Sequence, residues 1–216
     1  MPRHADPELE ERILKAAHIL WHRGGDKALT LRAVARAART NTPAMYRRFK
    51  NRQELVRGLL LRIGKRTRED FEASRTIEGI AEKYVESAVR QPNECQLFYT
   101  YARELSPPKG RGRPRPIRES RPNFALIEKR LAERLGGRPE EHTQLALAIW
   151  ATLHGTTTLL LSKSIPDGHE EELRSACRAA VRALLDCADT FPETKHARRT
   201  QIGRGVGSTA EKESGS

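Results

Sequence analysis

Apolar residues recur at helical spacing along most of the 216-residue chain. In the first apolar segment the stripe consists of Leu9, Ile13, Ala17, Leu20 and Trp21. In the fourth segment it consists of Leu55, Val56, Leu59, Leu60 and Ile63. Two short segments lie between them, with Thr30 and Asn41 as N-caps and a break at 39–41. Two short helices that meet through a tight turn and are braced by longer helices predict a helix-turn-helix.

The rest of the chain predicts further helices in 76–105, 124–135, 140–162 and 168–190, with a break at Pro92. The segment 140–162 is apolar nearly all round, which indicates a helix buried on more than one side. The proline-rich stretch 106–122 predicts an irregular loop, and the polar tail 192–216 predicts disorder. Asp6 and Pro7 suit the start of the first helix. The patterns together predict an all-α protein.

Charge is concentrated at the N-terminal end. The chain has 40 Lys and Arg against 28 Asp and Glu, for a net charge of +12. Residues 1–57 hold 13 basic and 6 acidic side chains, whereas residues 123–191 carry a small negative excess. A basic head on a nearly neutral body indicates a nucleic-acid partner, and a merely solvated basic face is the alternative.

Several classes of protein lack support in the sequence. No run of 18 apolar residues is present and the N-terminus has no apolar signal core, so we expect a cytoplasmic protein with no membrane span. The three cysteines form no C-x-x-C pair, which argues against a disulfide framework or a thiolate zinc site. No nucleophile–base pair has a diagnostic spacing, so we predict no enzymatic activity and no cofactor.

One segment closely resembles the DNA-binding head of the TetR family of transcriptional repressors. The resemblance covers roughly residues 8–60 and is densest at Met45-Tyr-Arg-Arg-Phe49, followed by Arg52. The run Trp150-Ala-Thr-Leu-His-Gly155 also resembles a motif of the family's ligand-binding domain. Two departures are Arg39, where the family usually has the glycine of the turn, and Arg48, which replaces a common histidine.

The resemblance implies an all-helical homodimer whose heads occupy successive major grooves and leave DNA when a small ligand binds. It implies a three-helix DNA-binding domain over 1–57 and a ligand-binding and dimerisation domain over 58–191. The residues expected to contact DNA are Thr30, Arg32, Thr40, Asn41, Thr42, Pro43, Ala44, Tyr46, Arg47, Arg48 and Arg52. A ligand-independent architectural DNA-binding protein is the main alternative, and an enzyme of unknown chemistry is the weaker one.

Chemistry suggests a role for several of these residues. The N-terminus of the second short helix is the end that enters the groove in this motif. Thr42 can hydrogen-bond a base edge, while Pro43 and Ala44 can touch a thymine methyl group. Phosphate contacts are expected from Thr30 and from Tyr46, Arg47, Arg48 and Arg52. Met45 and Phe49 are assigned to the core of the head.

The C-terminal body offers candidate residues for a ligand and for a partner subunit. The aromatic and histidine side chains that could line a cavity for a mainly apolar effector are Tyr84, Phe98, Tyr99, Phe124, Trp150 and His154. Packed core is an equally good interpretation of any single one of them. The resemblance implies that the last two helices, about 140–162 and 168–190, pair with their copies as a four-helix bundle. The interface candidates are Leu153, Leu160, Leu173, Cys177, Val181 and Leu184.

Two further features suggest weaker hypotheses. His18 and His22 have the i,i+4 spacing of a metal site, but no acid is placed to help, so surface histidines are favoured and no metal is expected. Residues 109–116, Lys-Gly-Arg-Gly-Arg-Pro-Arg-Pro, resemble an AT-hook that lies in the minor groove of DNA. A solvated loop is the favoured interpretation of this stretch.

Overall fold

The computed structural model describes residues 8–101 and 116–192. Within these ranges the chain is helical and contains no strand. The α-helices are α1 (Leu9–Ala28), α2 (Leu31–Ala37), α3 (Thr42–Arg48), α4 (Arg52–Glu72), α5 (Ile77–Arg90), α6 (Pro92–Tyr101), α7 (Ile117–Ser120), α8 (Pro122–Leu135), α9 (Thr143–Leu161) and α10 (Glu170–Asp186). Short 3₁₀ turns follow at Pro139–His142 and Ala188–Thr190. The predicted all-α class is confirmed.

Several predictions concern residues outside the described ranges. These are the cap at Asp6 and Pro7, all but the last residue of the AT-hook-like stretch 109–116, and all but the first of the tail 192–216. The part of 106–122 that is described differs from the prediction of irregular structure. It contains the single turn of α7 and the start of α8, where Pro122 occupies an early helical position that needs no N–H donor.

The chain forms two compact units. The first unit comprises 1–67 and 91–114, and the second comprises 68–90 and 115–216. The sequence predicts that the DNA-binding domain ends at residue 57. The compact units divide elsewhere, because α4 runs through residue 57 without a break. The helix α6 belongs to the first unit, although it lies far along the chain. The functional boundary itself stays a prediction.

The core of the first unit is built by one face from each of its helices. Ile13, Met45, Leu59 and Leu97 are all fully buried in it and come from α1, α3, α4 and α6. The predicted end of α1 at Gly24-Gly25 is close to what is observed. The backbone leaves the helical conformation at Gly25 (φ 56°), and a further turn continues to Ala28.

The turn between α2 and α3 is a Schellman motif with an arginine where glycine is usual. The N–H of Thr40 donates to the carbonyl of Ala35 (3.0 Å), and that of Arg39 donates to Arg36 (3.1 Å). Arg39 has a φ of 53°. A left-handed backbone costs a residue with a Cβ roughly 1–2 kcal/mol. The turn therefore forms as the motif requires, but at a conformational cost.

Arg39→Gly is expected to stabilise the protein by about 0.5–1 kcal/mol, because relief of the left-handed strain exceeds the entropy that glycine adds to the unfolded chain. Urea unfolding of the full chain measures this change. Arg36→Gly is the matched control, since Arg36 lies inside α2 and loses the same charge. It should instead destabilise the protein by about 1 kcal/mol. Equal effects of the two substitutions would contradict the assignment of strain to Arg39.

The core of the second unit lies between α5, α8, α9 and α10. Leu145, Ile149 and Leu153 of α9 are buried, as are Cys177 and Val181 of α10. The segment Pro139–Leu161 is long and apolar enough by composition to span a membrane, with a mean hydropathy of 1.2 over its best window. The absence of an unbroken apolar run therefore did not exclude such a helix. The buried face of this helix packs in the core of the second unit, and this packing explains its apolar composition.

A charged group is buried inside the second unit. The Glu128 side chain on α8 is 1% exposed and accepts a hydrogen bond from the Thr143 hydroxyl (2.6 Å). Arg118 on α7 pairs with it, with its Nε 3.0 Å from Oε2. The same guanidinium donates to Glu140 (2.9 Å). A buried carboxylate needs such partners, so this network joins α7 and α8 to the start of α9.

Candidate nucleic-acid interface

The predicted helix-turn-helix is formed by α2 and α3, and both helices start at the predicted caps. The Thr30 hydroxyl accepts from the backbone N–H of Ala33 (3.2 Å), and the Asn41 side chain accepts from that of Ala44 (2.8 Å). Both capping residues have extended backbone, as this role requires. The two caps fix where each short helix begins and therefore which of its residues face outward.

One side of α3 is exposed to solvent. Thr42, Pro43, Tyr46 and Arg47 all lie on it, and the Tyr46 side chain is 48% exposed. Residues spaced three or four apart share a helix face, so these four side chains form one continuous surface. Met45 and Phe49 lie on the opposite side and are buried, which confirms their assignment to the core.

The structure reassigns two of the residues expected to contact DNA. The Ala44 residue is only 7% exposed and packs in the core of the first unit, so its methyl group cannot reach a thymine. The guanidinium of Arg52 is engaged within the protein. It donates to the carbonyl of Leu29 (3.1 Å) and to the hydroxyl of Tyr101 (3.0 Å), and it pairs with Asp26. Arg52 therefore braces α4 against α6 and the end of α1 instead of offering a free charge to phosphate.

The remaining expected DNA contacts differ in exposure. Arg32 on α2 is exposed, as are Thr30 and Asn41. Thr40 and Arg48 are half-buried. The three exposed residues are polar or basic and lie at or near the N-termini of α2 and α3.

The aromatic candidates for a ligand cavity do not gather in one place. Trp150 packs near Phe124 (ring centroids 5.9 Å apart) and His154 (6.5 Å) in the second unit. Tyr84 of that unit lies near Phe71 (6.2 Å). Phe98 and Tyr99 belong to α6 of the first unit, where Phe98 packs against the core and Tyr99 is exposed. The predicted set of six is therefore divided between two compact units.

Three of the six candidates for a subunit interface are already buried within the protein. Leu153, Cys177 and Val181 face the core of their own unit, so a second copy cannot cover them. The stripe on α10 packs against α9 and α5 of the same chain. Leu160, Leu173 and Leu184 are half-buried. The expectation that the apolar stripe of α10 needs a partner subunit was wrong at these three positions.

A different stripe is exposed on α9. Leu147, Ala151, Gly155 and Leu159 recur every four residues along it, and each is exposed. A side chain at Gly155 would meet only open space. On α10, Ala176, Ala179 and Ala183 are exposed as well. Small and apolar residues therefore form an outward-facing surface on both helices.

The two histidines of α1 meet an acid that the sequence pattern did not reveal. Glu94 on α6 lies with its Oε1 2.6 Å from Nε2 of His18 and 3.9 Å from Nε2 of His22. Its Oε2 accepts from Arg66. Burial alone would raise the pKa of Glu94, but hydrogen bonds from His18 and Arg66 outweigh it and hold this pKa below its usual value. The expectation that no acid stands near the two histidines was wrong.

The neighbouring thiol is inert. Burial, together with the charge of Glu94, raises the pKa of Cys95 to about 11, so this cysteine stays protonated at neutral pH.

Comparison with known proteins identifies the family. The model of bacterial regulatory proteins of the tetR family matches residues 13–59, and that of the tetracyclin repressor-like C-terminal domain matches residues 77–184. Comparison with curated protein sequences finds no match. The first matched range contains α2 and α3 with the exposed face described above. The second contains all of α5, α8 and α9 and most of α10.

Solved structures share the fold. A TetR-family transcriptional regulator from Streptomyces coelicolor has a TM-score of 0.60 and 23% identity, over 83% of this chain and 98% of its own. The multidrug binding protein EbrR, crystallised with imidazole, has a TM-score of 0.56 and 22% identity, over 83% of this chain and 93% of its own. With both family models matched in order and a helix-turn-helix formed where the first requires one, this chain belongs to the TetR family and is a DNA-binding transcriptional regulator.

Proposed function

We propose that the protein is a ligand-responsive repressor that binds an inverted-repeat operator as a homodimer. The exposed face of α3 is the observation that carries the proposal. Thr42 and Pro43 start this face, and Tyr46 and Arg47 continue it one turn later. A helix of seven residues reads only a few base pairs, so two heads related by a two-fold axis are needed to specify an operator.

The proposed contacts divide into those that specify sequence and those that position the head. Thr42 hydrogen-bonds a base edge and Pro43 touches a thymine methyl group. Tyr46 and Arg47 bind phosphates, and Arg32 of α2 does so from the adjacent helix. The exposure of these five side chains supports the assignment. Thr30 and Asn41 combine capping with a contact to the backbone of DNA.

The proposed effector is a small, mainly apolar molecule that binds in the second unit. The ring cluster of Phe124, Trp150 and His154 supports this location. Trp150 and His154 are half-buried and can contact a ligand, whereas Phe124 is buried and packs against Trp150. EbrR, a structural neighbour, is a multidrug binding protein crystallised with imidazole. Apolar and aromatic surfaces with one or two polar groups are typical of such sites.

The proposed dimer forms through the exposed surfaces of α9 and α10. Leu147, Ala151, Gly155 and Leu159 let the backbone of a second α9 approach closely, because two of the four are small. A two-fold axis through this stripe pairs the same patch with itself. We place the dimer in the cytoplasm, where an operator is accessible.

Ala151→Glu is expected to convert the dimer to a monomer at micromolar concentration. It introduces like charges on both sides of the two-fold axis and leaves the protomer core untouched, because Ala151 is exposed. Sedimentation equilibrium measures the change. Ala73→Glu is the matched control, since Ala73 is an exposed alanine that follows α4. A wild-type monomer, or a dimer that persists in Ala151→Glu, would overturn this interface.

A mobility-shift assay tests the proposed regulation. The wild-type protein should retard a duplex from the region upstream of its own coding sequence, and a compound from a lipophilic panel should release it. Compounds that release DNA should also raise the melting temperature of the protein. Retardation that no compound in the panel reverses would instead favour a ligand-independent architectural role.

A further inference from the structure

The cluster of His18, His22 and Glu94 is a distinct site in the first unit. His18 and His22 project from successive turns of α1, and Glu94 meets them from the first turn of α6. One donor atom from each lies within 4.8 Å of the other two. We propose that this cluster binds one divalent transition-metal ion, and that Zn²⁺ matches its two imidazoles and one carboxylate best.

The distances suit a tetrahedral ion. In a tetrahedral zinc site with bonds of about 2.0–2.2 Å, neighbouring donor atoms lie roughly 3.3–3.6 Å apart. The Glu94 Oε1 is 2.6 Å from Nε2 of His18 and 3.9 Å from Nε2 of His22, so the two values bracket this separation. Side-chain rotations that move each donor by about 1 Å or less therefore admit the ion between the three groups.

The surroundings hold the carboxylate in the orientation that the ion needs. Arg66 binds Oε2 of Glu94 and leaves Oε1 directed at the two histidines. Partners that bond the second oxygen of a carboxylate orient it as a metal ligand. The indole N–H of Trp21 donates to the backbone carbonyl of Asn93 (2.6 Å), which fixes the start of α6 against α1 next to the cluster. The two elements that supply the donors are thus joined by independent contacts.

The site is most open to solvent at His22. The side chain of Glu94 is 6% exposed, whereas that of His22 is 38% exposed. His22 also borders an open cleft of about 390 Å³ that is lined by Trp21, Asn93 and Gln96, among others. A hydrated ion can therefore enter past His22, and water from the cleft supplies the fourth ligand. Three protein ligands and one water make an open site rather than a closed structural one.

A zinc titration of the full chain, without an affinity tag, tests the proposal. Competition with a chromogenic chelator should show one Zn²⁺ bound per chain. His22→Ala should weaken this binding at least tenfold, and it keeps the fold because His22 is exposed. His169→Ala is the matched control: His169 is an exposed histidine that lies 2.5 Å from Glu172, and among the described residues no third metal-ligating side chain joins this pair. It should leave the zinc affinity unchanged.

Two additional measurements identify the ligands. Cys187→Ser removes the exposed thiol and should not change zinc binding. The absorption spectrum of the Co²⁺-loaded protein should indicate nitrogen and oxygen ligands without thiolate. Zinc binding that is equal in wild type and His22→Ala, or a thiolate spectrum that disappears in Cys187→Ser, would overturn the proposal. DNA binding plays no part in these readouts, so the result is independent of the proposed repressor function.

Discussion

Arg118→Met is expected to lower the free energy of unfolding by about 3 kcal/mol, because removing one partner of a buried ion pair leaves the other charge without compensation. Glu128 is almost completely buried, and Arg118 is the cation that faces it. The Thr143 hydroxyl still donates to Glu128 but cannot neutralise its charge. Methionine keeps much of the length of the arginine side chain, so lost packing contributes little. Urea unfolding of the full chain measures the change.

Two variants separate this charge effect from general damage. Arg138→Met removes an exposed arginine that pairs with Glu140 and Glu141, and it should leave the free energy of unfolding nearly unchanged because solvent screens exposed ion pairs. Glu128→Gln added to Arg118→Met removes the unpaired charge and should recover more than half of the loss. A double variant as unstable as the single one would show that the buried charge is not the cause.

Arg47→Ala is expected to weaken binding to every duplex at least about tenfold, because a charge-assisted hydrogen bond contributes roughly 1.5–3 kcal/mol and the proposed dimer would lose two such bonds to phosphate. Arg47 is exposed on the outward face of α3. Each phosphate contact adds about 0.9 to the slope of log affinity against log salt concentration. The slope should therefore fall by about 1.8 per dimer. Fluorescence anisotropy across a range of salt concentrations measures both changes.

The matched control for Arg47 is an arginine that lies outside the first unit. Arg90→Ala removes the same charge from the exposed end of α5. It should leave the salt slope unchanged, because long-range charge alone is largely screened at physiological ionic strength. A slope that falls equally in the two variants would mean that net charge, not contact by α3, determines the affinity.

The features that sequence predicted well are local ones. Thr30 and Asn41 cap α2 and α3 because a capping side chain bonds a backbone group only three residues away. The family pattern marked Arg39 as a departure from glycine, and its backbone has the positive φ that the turn demands. The outward face of α3 follows from helical spacing once its start is fixed. These interactions depend on neighbours that can be read directly along the chain.

The features that sequence did not predict depend on residues far apart in the chain. Glu94 reaches His18 across 76 residues, and no spacing rule connects the two. Arg52 looked like a phosphate ligand because nothing local indicated its bond to Tyr101, 49 residues away. The stripe on α10 was correctly recognised as apolar, but periodicity does not reveal whether the same chain or a second copy covers it. In the structure, α9 and α5 of the same chain cover the stripe of α10.

We propose that α3 reads an inverted repeat through its N-terminal turn, and selection from a pool of random duplexes tests this role of the helix. The wild-type protein should enrich two inverted half-sites with a fixed spacing. Thr42→Ala should enrich the same spacing but relax preference at one base pair in each half-site, by roughly 1–3 kcal/mol. Enrichment of no inverted repeat, or an identical preference in wild type and Thr42→Ala, would show that α3 does not read DNA in this way.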